Sequence, residues 1–401
     1  MSLLFGDDFS DKIDLTGYDY AFYNLFSNQS KIISVDAKFL PATTLADYCY
    51  SGIFSGCTSL TMAPELPATI LAASCYQEMF SSCSSLITAP ELPATTLAAS
   101  CYENMFYYCE SLTTAPSILP AATLTDDCYY YMFSSCYNLT AAPELPATTL
   151  ANNCYAYMFS GCRSLTTAPK LPATTLASFC YGGIFSGCSS LTTAPELPAT
   201  TLADSCYQEM FSSCYNLTTA PKLPATTLSF GCYYNMFYYC TSLTTAPELP
   251  ATTLADSCYR SMFYNCTSLT TAPELPATTL DSGCYDSMFY YCTSLTTAPE
   301  LPATTLATSC YSEMFSYCDG LTTVPELPAA TLVDYCYNYM FYDCYNLTYI
   351  KALFTTTPDS SYTEEWVSGV SYTGTFVKSK DATWNVTGNS GVPENWTVEV
   401  A

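Results

Sequence analysis

The sequence predicts an α/β repeat solenoid with a short-stranded parallel sheet and short helices. A unit with the pattern C-Y-x-x-M-F-x-x-C-x-x-L-T-T-A-P-x-L-P-A-T-T-L, complete at residues 206–228, recurs along most of the chain. The first cysteines of its copies are Cys49, Cys75, Cys101, Cys128, Cys154, Cys180, Cys206, Cys232, Cys258, Cys284, Cys310 and Cys336. Ten of the intervals between them are 26 residues and one is 27. A fixed period of this size is typical of repeats that stack on their neighbours.

Each repeat contains two segments that are predicted to be extended. Residues 217–220 (L-T-T-A) are β-prone and end at Pro221, which has no N–H to donate to a sheet. Residues 223–228 form the second segment, because Pro224 disfavours helix at the residue before it and the threonines that follow are β-branched. Stacked copies predict a parallel sheet of about twelve short strands.

The cysteine-containing segment of each repeat predicts two turns of helix. Its apolar residues lie at positions 0, 1, 4, 5 and 8, counted from the first cysteine, and this spacing makes one helical stripe. Residues such as Asp204 and Ser205 precede the first cysteine and are good N-caps. We expect the stripe to face the sheet, with the tyrosine at position 1 in the core.

The chain divides into three predicted parts. Residues 1–38 are expected to form a degenerate N-terminal capping repeat, because they echo the pattern without its cysteines. Residues 39–350 hold the twelve repeats, and residues 351–401, which contain all three tryptophans, are expected to form a small β-rich capping module. The opening residues are acidic and lack the basic region of a secretory signal peptide.

Composition excludes several classes of function. The net charge is −25 with only 10 Lys and Arg residues, which disfavours binding to nucleic acid or to anionic membranes. No run of 18 or more apolar residues predicts a membrane-spanning helix. The chain has no histidine and no phosphate-binding or serine-nucleophile motif, so we expect neither an enzyme nor a cofactor.

The 24 cysteines occur two per repeat, eight positions apart. On a helix the two would lie about 12 Å apart, too far for a disulfide bond. Equivalent cysteines of adjacent copies would lie about 5 Å apart, so disulfides between copies stay conceivable. The favoured interpretation is two columns of buried, reduced thiols. The cysteines do not have the C-x-x-C spacing that is typical of metal sites, so we expect no metal site.

The F-x-x-C-x-x-L core of the repeat, as in Phe211, Cys214 and Leu217, resembles the BspA-like leucine-rich repeat of bacterial surface proteins. It differs from the family pattern in being a few residues longer and in having Met210 or Ile184 where the family has alanine. The C-terminal stretch resembles tails found on such proteins in gut anaerobes and their phages. The resemblance implies a leucine-rich-repeat-like right-handed coil, and adhesion or ligand binding rather than catalysis.

Two polar ladders recur along the predicted sheet side. The residue after the first proline is usually glutamate, interrupted by Lys170 and Lys222; the glutamates are Glu65, Glu91, Glu144, Glu196, Glu248, Glu274, Glu300 and Glu326. They could form a cation-binding row, but a solvated edge is the favoured interpretation, since no calcium-loop pattern is present. The threonine pairs suit stacked strands, with ice binding as the alternative.

The variable positions 2, 3, 6 and 7 predict a recognition surface. They are rich in tyrosine, serine, asparagine, glycine and aspartate, an alphabet similar to that of binding paratopes. Drift on an exposed helix would instead favour lysine, glutamate and glutamine. The predicted ligand-binding residues are Tyr107, Tyr108, Tyr130, Tyr131, Tyr238, Tyr239, Tyr264, Tyr290 and Tyr291.

Together these features predict a non-enzymatic protein that binds a glycan or a protein on a cell surface. The expected setting is extracellular, either on a bacterial surface or on a phage virion as a tail or head fibre. The alternative is a structural spacer or virion assembly protein without a ligand. A homo-oligomer, or attachment to a larger assembly through one terminus, is compatible with both.

Overall fold

The computed structural model describes residues 13–401, which form two compact units, one ending at Leu197 and one spanning Pro198–Ala401. Within each unit, successive repeats are joined by parallel bridges between residues 26 positions apart, as a repeat solenoid requires. Examples are Thr88 with Thr114 in the first unit and Thr219 with Thr245 in the second. The prediction for residues 1–12, part of the proposed N-terminal cap, lies outside the described residues.

The second unit contains three β-strands, which form one parallel sheet. Strand β1 spans Tyr349–Ala352, β2 spans Thr375–Lys378 and β3 spans Thr397–Val400. The order is β1-β2-β3, and the first residues of the three strands are paired with one another across the sheet. Isolated bridges continue this pairing from the last repeats, where Thr323 pairs with Tyr349.

Elsewhere in residues 13–401 the predicted strands are shortened to isolated bridges. The two extended segments of a repeat each contribute one bridge, for example at Thr271 with Thr297 and at Thr253 with Thr279. Each bridging threonine of a repeat has a proline within three residues: Pro273 follows Thr271, and Pro250 precedes Thr253. Because proline has no N–H to donate, the pairing between repeats cannot extend into a longer strand. The expected sheet of twelve strands is therefore two rows of single parallel bridges.

The predicted helices are wrong, because the described residues contain no helix. The cysteine-containing segment is instead a ribbon of overlapping turns. In residues 74–83, the amide of Met79 donates to the carbonyl of Tyr76 at 3.2 Å, three residues back. The amide of Phe80 donates to the carbonyl of Met105 in the next repeat, at 2.9 Å. This alternation continues along the segment, which we call the turn ribbon.

Backbone conformation explains why the turn ribbon is not a helix. Positions −1, 3 and 7 have positive φ in all twelve repeats, as in Ser74 (50°), Glu78 (55°) and Ser82 (59°). A left-handed residue at every fourth position breaks a right-handed helix and suits the third position of a type II turn. The resulting period of four buries positions 0, 1, 4, 5 and 8, so the predicted buried stripe is correct although its element is not.

The core of each unit consists of aromatic columns that run from repeat to repeat. The tyrosine at position 1 is 1% exposed, and its ring stacks on the next one, with 5.8 Å between the centroids of Tyr76 and Tyr102. The phenylalanines at position 5 stack likewise, at 5.6 Å for Phe263 and Phe289. The predicted core role of these tyrosines is confirmed. The extra residue of the long repeat leaves the column intact, since Tyr102 and Tyr129 are 5.7 Å apart.

All 24 cysteines are buried, as predicted, and none is joined in a disulfide in this structure; their reduced state stays a prediction. The second cysteine of a repeat has a specific partner. Its Sγ donates to the carbonyl of the phenylalanine in the preceding repeat, as Cys266 does to Phe237 at 3.2 Å. Because burial disfavours the thiolate, the pKa of Cys292 is raised to about 12.

Both predicted caps contain ribbon-like turns. Near the N-terminus, Tyr20, Asn24 and Asn28 have positive φ at the same four-residue spacing, although this segment has no cysteine. Near the C-terminus, Trp366 is fully buried against Tyr337 and Phe341, and its Nε1 donates to the carbonyl of Gly391 at 2.9 Å. The boundaries at residues 38 and 351 stay predictions.

No helix in residues 13–401 could span a membrane.

Candidate recognition surface

The turn ribbon determines which variable residues reach solvent. Because positions 0, 1, 4, 5 and 8 point into the core, positions 2, 3, 6 and 7 are left on the outer side of the ribbon. Adjacent repeats are held in register by their backbone hydrogen bonds, so equivalent outer side chains become neighbours. The predicted tyrosines all occupy these outer positions, and the structure assembles them into one cluster on each unit.

The first tyrosine cluster lies on the unit that ends at Leu197. Tyr107 packs edge-on against Tyr108, with 4.6 Å between ring centroids, and Tyr130 packs edge-on against Tyr131 at 4.5 Å. Tyr107 and Tyr131 join the two pairs at 6.1 Å. Tyr131 then stacks on Tyr157 at 4.7 Å. The four tyrosines predicted in this unit therefore form one connected surface.

The second tyrosine cluster lies on Pro198–Ala401. Tyr264 is its centre, stacked between Tyr238 at 4.7 Å and Tyr290 at 4.5 Å. Tyr239 packs on Tyr238 at 4.7 Å. Tyr291 is connected to the others through Tyr317, whose ring lies 5.6 Å from Tyr291 and 5.3 Å from Tyr290. The structure thus brings all five predicted tyrosines of this unit together.

Several members of these clusters are missing from the predicted set. Tyr157 belongs to the first cluster, and Tyr317, Tyr339 and Tyr342 extend the second, with 5.5 Å between the rings of Tyr317 and Tyr342. They occupy the same outer positions 3, 6 and 7 as the predicted residues. Selecting every tyrosine at positions 2, 3, 6 and 7 in all repeats, rather than the clearest tyrosine pairs, would have found them.

Most of the cluster rings are only partly exposed. Tyr108 and Tyr291 are 39% and 45% exposed, whereas the other seven predicted tyrosines are half-buried. Where rings stack at 4.5–4.7 Å, each covers a face of its neighbour. The surface consequently presents ring edges and hydroxyl groups more than open ring faces.

Several tyrosine hydroxyl groups of the clusters have raised pKa values. Burial is the main cause that raises the pKa of Tyr107 in the first cluster and of Tyr238, Tyr264 and Tyr290 in the second. Neighbouring tyrosines add to the effect, because ionising one hydroxyl would place its charge beside the next. A protonated phenol can donate and accept a hydrogen bond, so Tyr107, Tyr238, Tyr264 and Tyr290 each offer a neutral hydrogen-bonding group to a partner.

Acidic groups border the second cluster. Asp286 forms an ion pair with Arg260, with 3.3 Å between the carboxylate oxygen and the guanidinium nitrogen. Burial nevertheless raises the pKa of Asp286 above its ordinary value. The pKa of Glu313 is also raised, first by burial and then by the charge of Asp286. The surroundings of the tyrosines are therefore negative and partly dehydrated, which favours a partner that is neutral or basic where it contacts them.

The glutamate ladder is a separate feature of the surface. The side chains of Glu65, Glu91, Glu248, Glu274 and Glu300 are exposed, and the half-buried Glu326 is paired with Lys351 at 2.6 Å. Residues 13–401 contain no group of three or more histidine, cysteine, aspartate or glutamate side chains that could hold a metal ion.

Comparison with known proteins places the repeats in a family. The model described as "BspA type Leucine rich repeat region (6 copies)" matches residues 16–166, 127–244, 155–296 and 256–363. The chain belongs to the BspA-type leucine-rich repeat family, as its resemblance predicts. Membership supports the repeat solenoid and indicates a protein-interaction or surface role, and proteins of this family are typically surface-located or secreted.

A solved structure is also similar. It is the crystal structure of a leucine-rich repeat protein from Bacteroides ovatus ATCC 8483, with 19% sequence identity and a TM-score of 0.47, covering 82% of this chain and 86% of that chain. No curated protein matches the chain.

Proposed function

We propose that this protein is a non-enzymatic recognition protein whose two tyrosine clusters bind a protein on a cell surface. The observation that carries the proposal is the connected packing of the outer tyrosines across successive repeats, such as Tyr238, Tyr264 and Tyr290. Tyrosine gives large, rigid contact area at a low cost in conformational entropy, and it is enriched in binding surfaces. Its setting would be outside the cell, on a bacterial surface or on a phage virion.

The ring geometry favours a protein over a glycan as the partner. A sugar ring that stacks on tyrosine needs an open aromatic face, but the faces of Tyr264 are covered by its neighbours at 4.5 and 4.7 Å. Ring edges and hydroxyl groups suit the hydrogen-bonding groups and side chains of a protein surface. Glycan binding is the competing outcome of the experiment below.

A structural spacer is the second candidate. The same clusters could stabilise the stack of repeats, since Tyr131 and Tyr157 contact each other across two copies. This candidate predicts no ligand for the tyrosine clusters, and a loss of stability when they are removed.

The test is binding of the purified chain to bacterial cells and to a glycan array. The variant carries serine in place of Tyr107, Tyr108, Tyr238, Tyr239, Tyr290 and Tyr291. Serine pairs already occupy positions 6 and 7 in other repeats, for example Ser81-Ser82 and Ser212-Ser213, so the ribbon accommodates them. We expect the parent to bind cells, surface proteolysis of the cells to abolish binding, and the variant to bind at least about tenfold more weakly.

A control variant, Tyr215→Ser with Tyr372→Ser, removes tyrosines that are 46% and 78% exposed outside the clusters. It should bind like the parent. Binding that survives proteolysis but not periodate treatment would show a glycan partner. Absence of binding to every cell type and glycan would favour the spacer.

A further inference from the structure

A row of clefts lies along the proline-containing segments of the second unit, apart from the turn ribbon. Three neighbouring clefts have volumes of about 370, 450 and 400 Å³ and lie between residues 220 and 302. Each is bounded by two successive A-P-x-L-P segments. The middle one is lined by Pro247, Pro250, Pro273 and Pro276. The walls are thus mostly apolar pyrrolidine rings.

Each cleft has two residues of the polar ladder at its rim. Lys222 and Glu248 border the first cleft, Glu248 and Glu274 border the middle one, and Glu274 and Glu300 border the third. Their repeats are paired by parallel bridges, so successive ladder positions are about 4.8 Å apart along the stack. These three carboxylates are exposed, and the structure records neither a hydrogen bond nor an ion pair for them. Like charges at this spacing repel one another, and a cation bound between them relieves the repulsion.

The chain itself shows how a cation occupies the ladder. At its C-terminal end, Lys351 of β1 extends its ammonium group to Glu326, with 2.6 Å between nitrogen and oxygen. Lys351 comes from the next turn of the stack, where Leu327 pairs with Ala352. A primary amine on an aliphatic chain therefore fits a ladder carboxylate in this fold.

We propose that the middle and third clefts, whose rims carry only glutamates of the ladder, bind an extended, lysine- or arginine-rich segment of a partner protein. The aliphatic part of each basic side chain would lie on the proline rings, and its charged end would reach Glu248, Glu274 or Glu300. A metal ion fits less well, because the middle and third clefts each offer only two carboxylates and an apolar wall. This site does not depend on the tyrosine clusters.

The test uses the full chain and a fluorescein-labelled decalysine peptide, followed by fluorescence anisotropy at about 150 mM salt, where long-range attraction is screened. The variant is E248Q with E274Q and E300Q. A matched control, D381N with E394Q and E399Q, changes the net charge equally at exposed positions away from the clefts. We expect the cleft variant to bind at least about tenfold more weakly than the parent, and the control to stay within about twofold.

Three results would overturn the proposal. One is the absence of peptide binding to the parent. Another is an equal loss in the two variants, since that would show attraction to the net charge of −25 rather than to the clefts. The third is binding of calcium to the parent, lost in the cleft variant, without any binding of the peptide.

Discussion

The carbonyl oxygen of Phe80 accepts two hydrogen bonds, one from the amide of Cys83 at 3.0 Å and one from the Sγ of Cys109 in the next repeat, also at 3.0 Å. The first closes a turn of the ribbon, and the second joins two repeats. A carbonyl oxygen has two lone pairs, and here both are used in a buried core. The second cysteine of the repeat is thus a hydrogen-bond donor as well as a small apolar side chain.

The role of the second cysteine predicts unequal effects of two alanine substitutions. Cys109→Ala removes the bond to Phe80, whereas Cys101→Ala removes a first-position thiol that is not among the donors to a phenylalanine carbonyl. We expect the first change to lower the free energy of unfolding by about 1 kcal/mol more than the second. Urea unfolding followed by circular dichroism measures the difference, and equal losses would contradict the assigned role.

Positive φ at position 7 predicts that glycine stabilises the ribbon there. Ser82 has φ of 59°, so Ser82→Gly removes the strain of a left-handed residue, and we expect about 0.5–1 kcal/mol of added stability. The neighbouring Ser81→Gly is the control, because Ser81 is not among the residues with positive φ; glycine there adds chain entropy to the unfolded state and removes a buried side chain. Thermal melts should shift in opposite directions for the two variants.

The buried thiols predict loss of stability at alkaline pH. Burial raises the pKa of Cys49 from 9.0 to about 12, so between these values the unfolded thiol ionises while the folded one stays protonated. The unfolded state then binds fewer protons, and the free energy of unfolding falls as pH rises through this window. Melting temperatures measured from pH 7 to 10 should be constant up to about pH 8 and then decline.

Thiol alkylation checks the same interpretation independently. Iodoacetamide should label few thiols in the native protein at pH 8 and all 24 in urea. Labelling of fewer than half in urea would show that disulfides exist and would contradict the reduced columns.

The buried tryptophan near the C-terminus predicts a large local effect. Trp366 is fully buried, packs on Tyr337 and Phe341, and donates to Gly391. Trp366→Ala should lower the free energy of unfolding by about 3–5 kcal/mol, and the last turns of the stack should unfold first. Tyr372→Ala, at a side chain 78% exposed, should stay within about 0.5 kcal/mol. Fluorescence of the two remaining tryptophans during urea unfolding reports the difference.

The period, the buried positions and the burial of the cysteines could be predicted from the sequence, because each depends on which side chains avoid water. The helix could not, because the spacing 0, 1, 4, 5 and 8 fits both a helix of 3.6 residues per turn and a ribbon of period four. Glycines carried the missing information. Gly52, Gly56, Gly183 and Gly187 occupy positions 3 and 7, where positive φ is required.

The tyrosine clusters were only partly predictable for a different reason. Their outer positions follow from the repeat pattern, but the stacking of Tyr264 between Tyr238 and Tyr290 depends on side-chain directions in the ribbon. In a helix, the side chains at positions 3 and 6 would point in directions different from those in the ribbon, because the two elements have different periods. The covering of ring faces, which favours a protein partner, is visible only in the structure.

The alternating bonds of the turn ribbon give the stack a polarity. In the second unit, amides of each repeat donate to carbonyls of the repeat that follows, and the last ribbon donates from Tyr337 and Phe341 to Tyr362 and Trp366. A repeat removed from within the stack would therefore leave the same kind of backbone junction behind, whereas the final ribbon needs a following turn that supplies acceptors. Residues 362–366 supply those acceptors here, so the stack ends on a segment that needs no cysteine of its own.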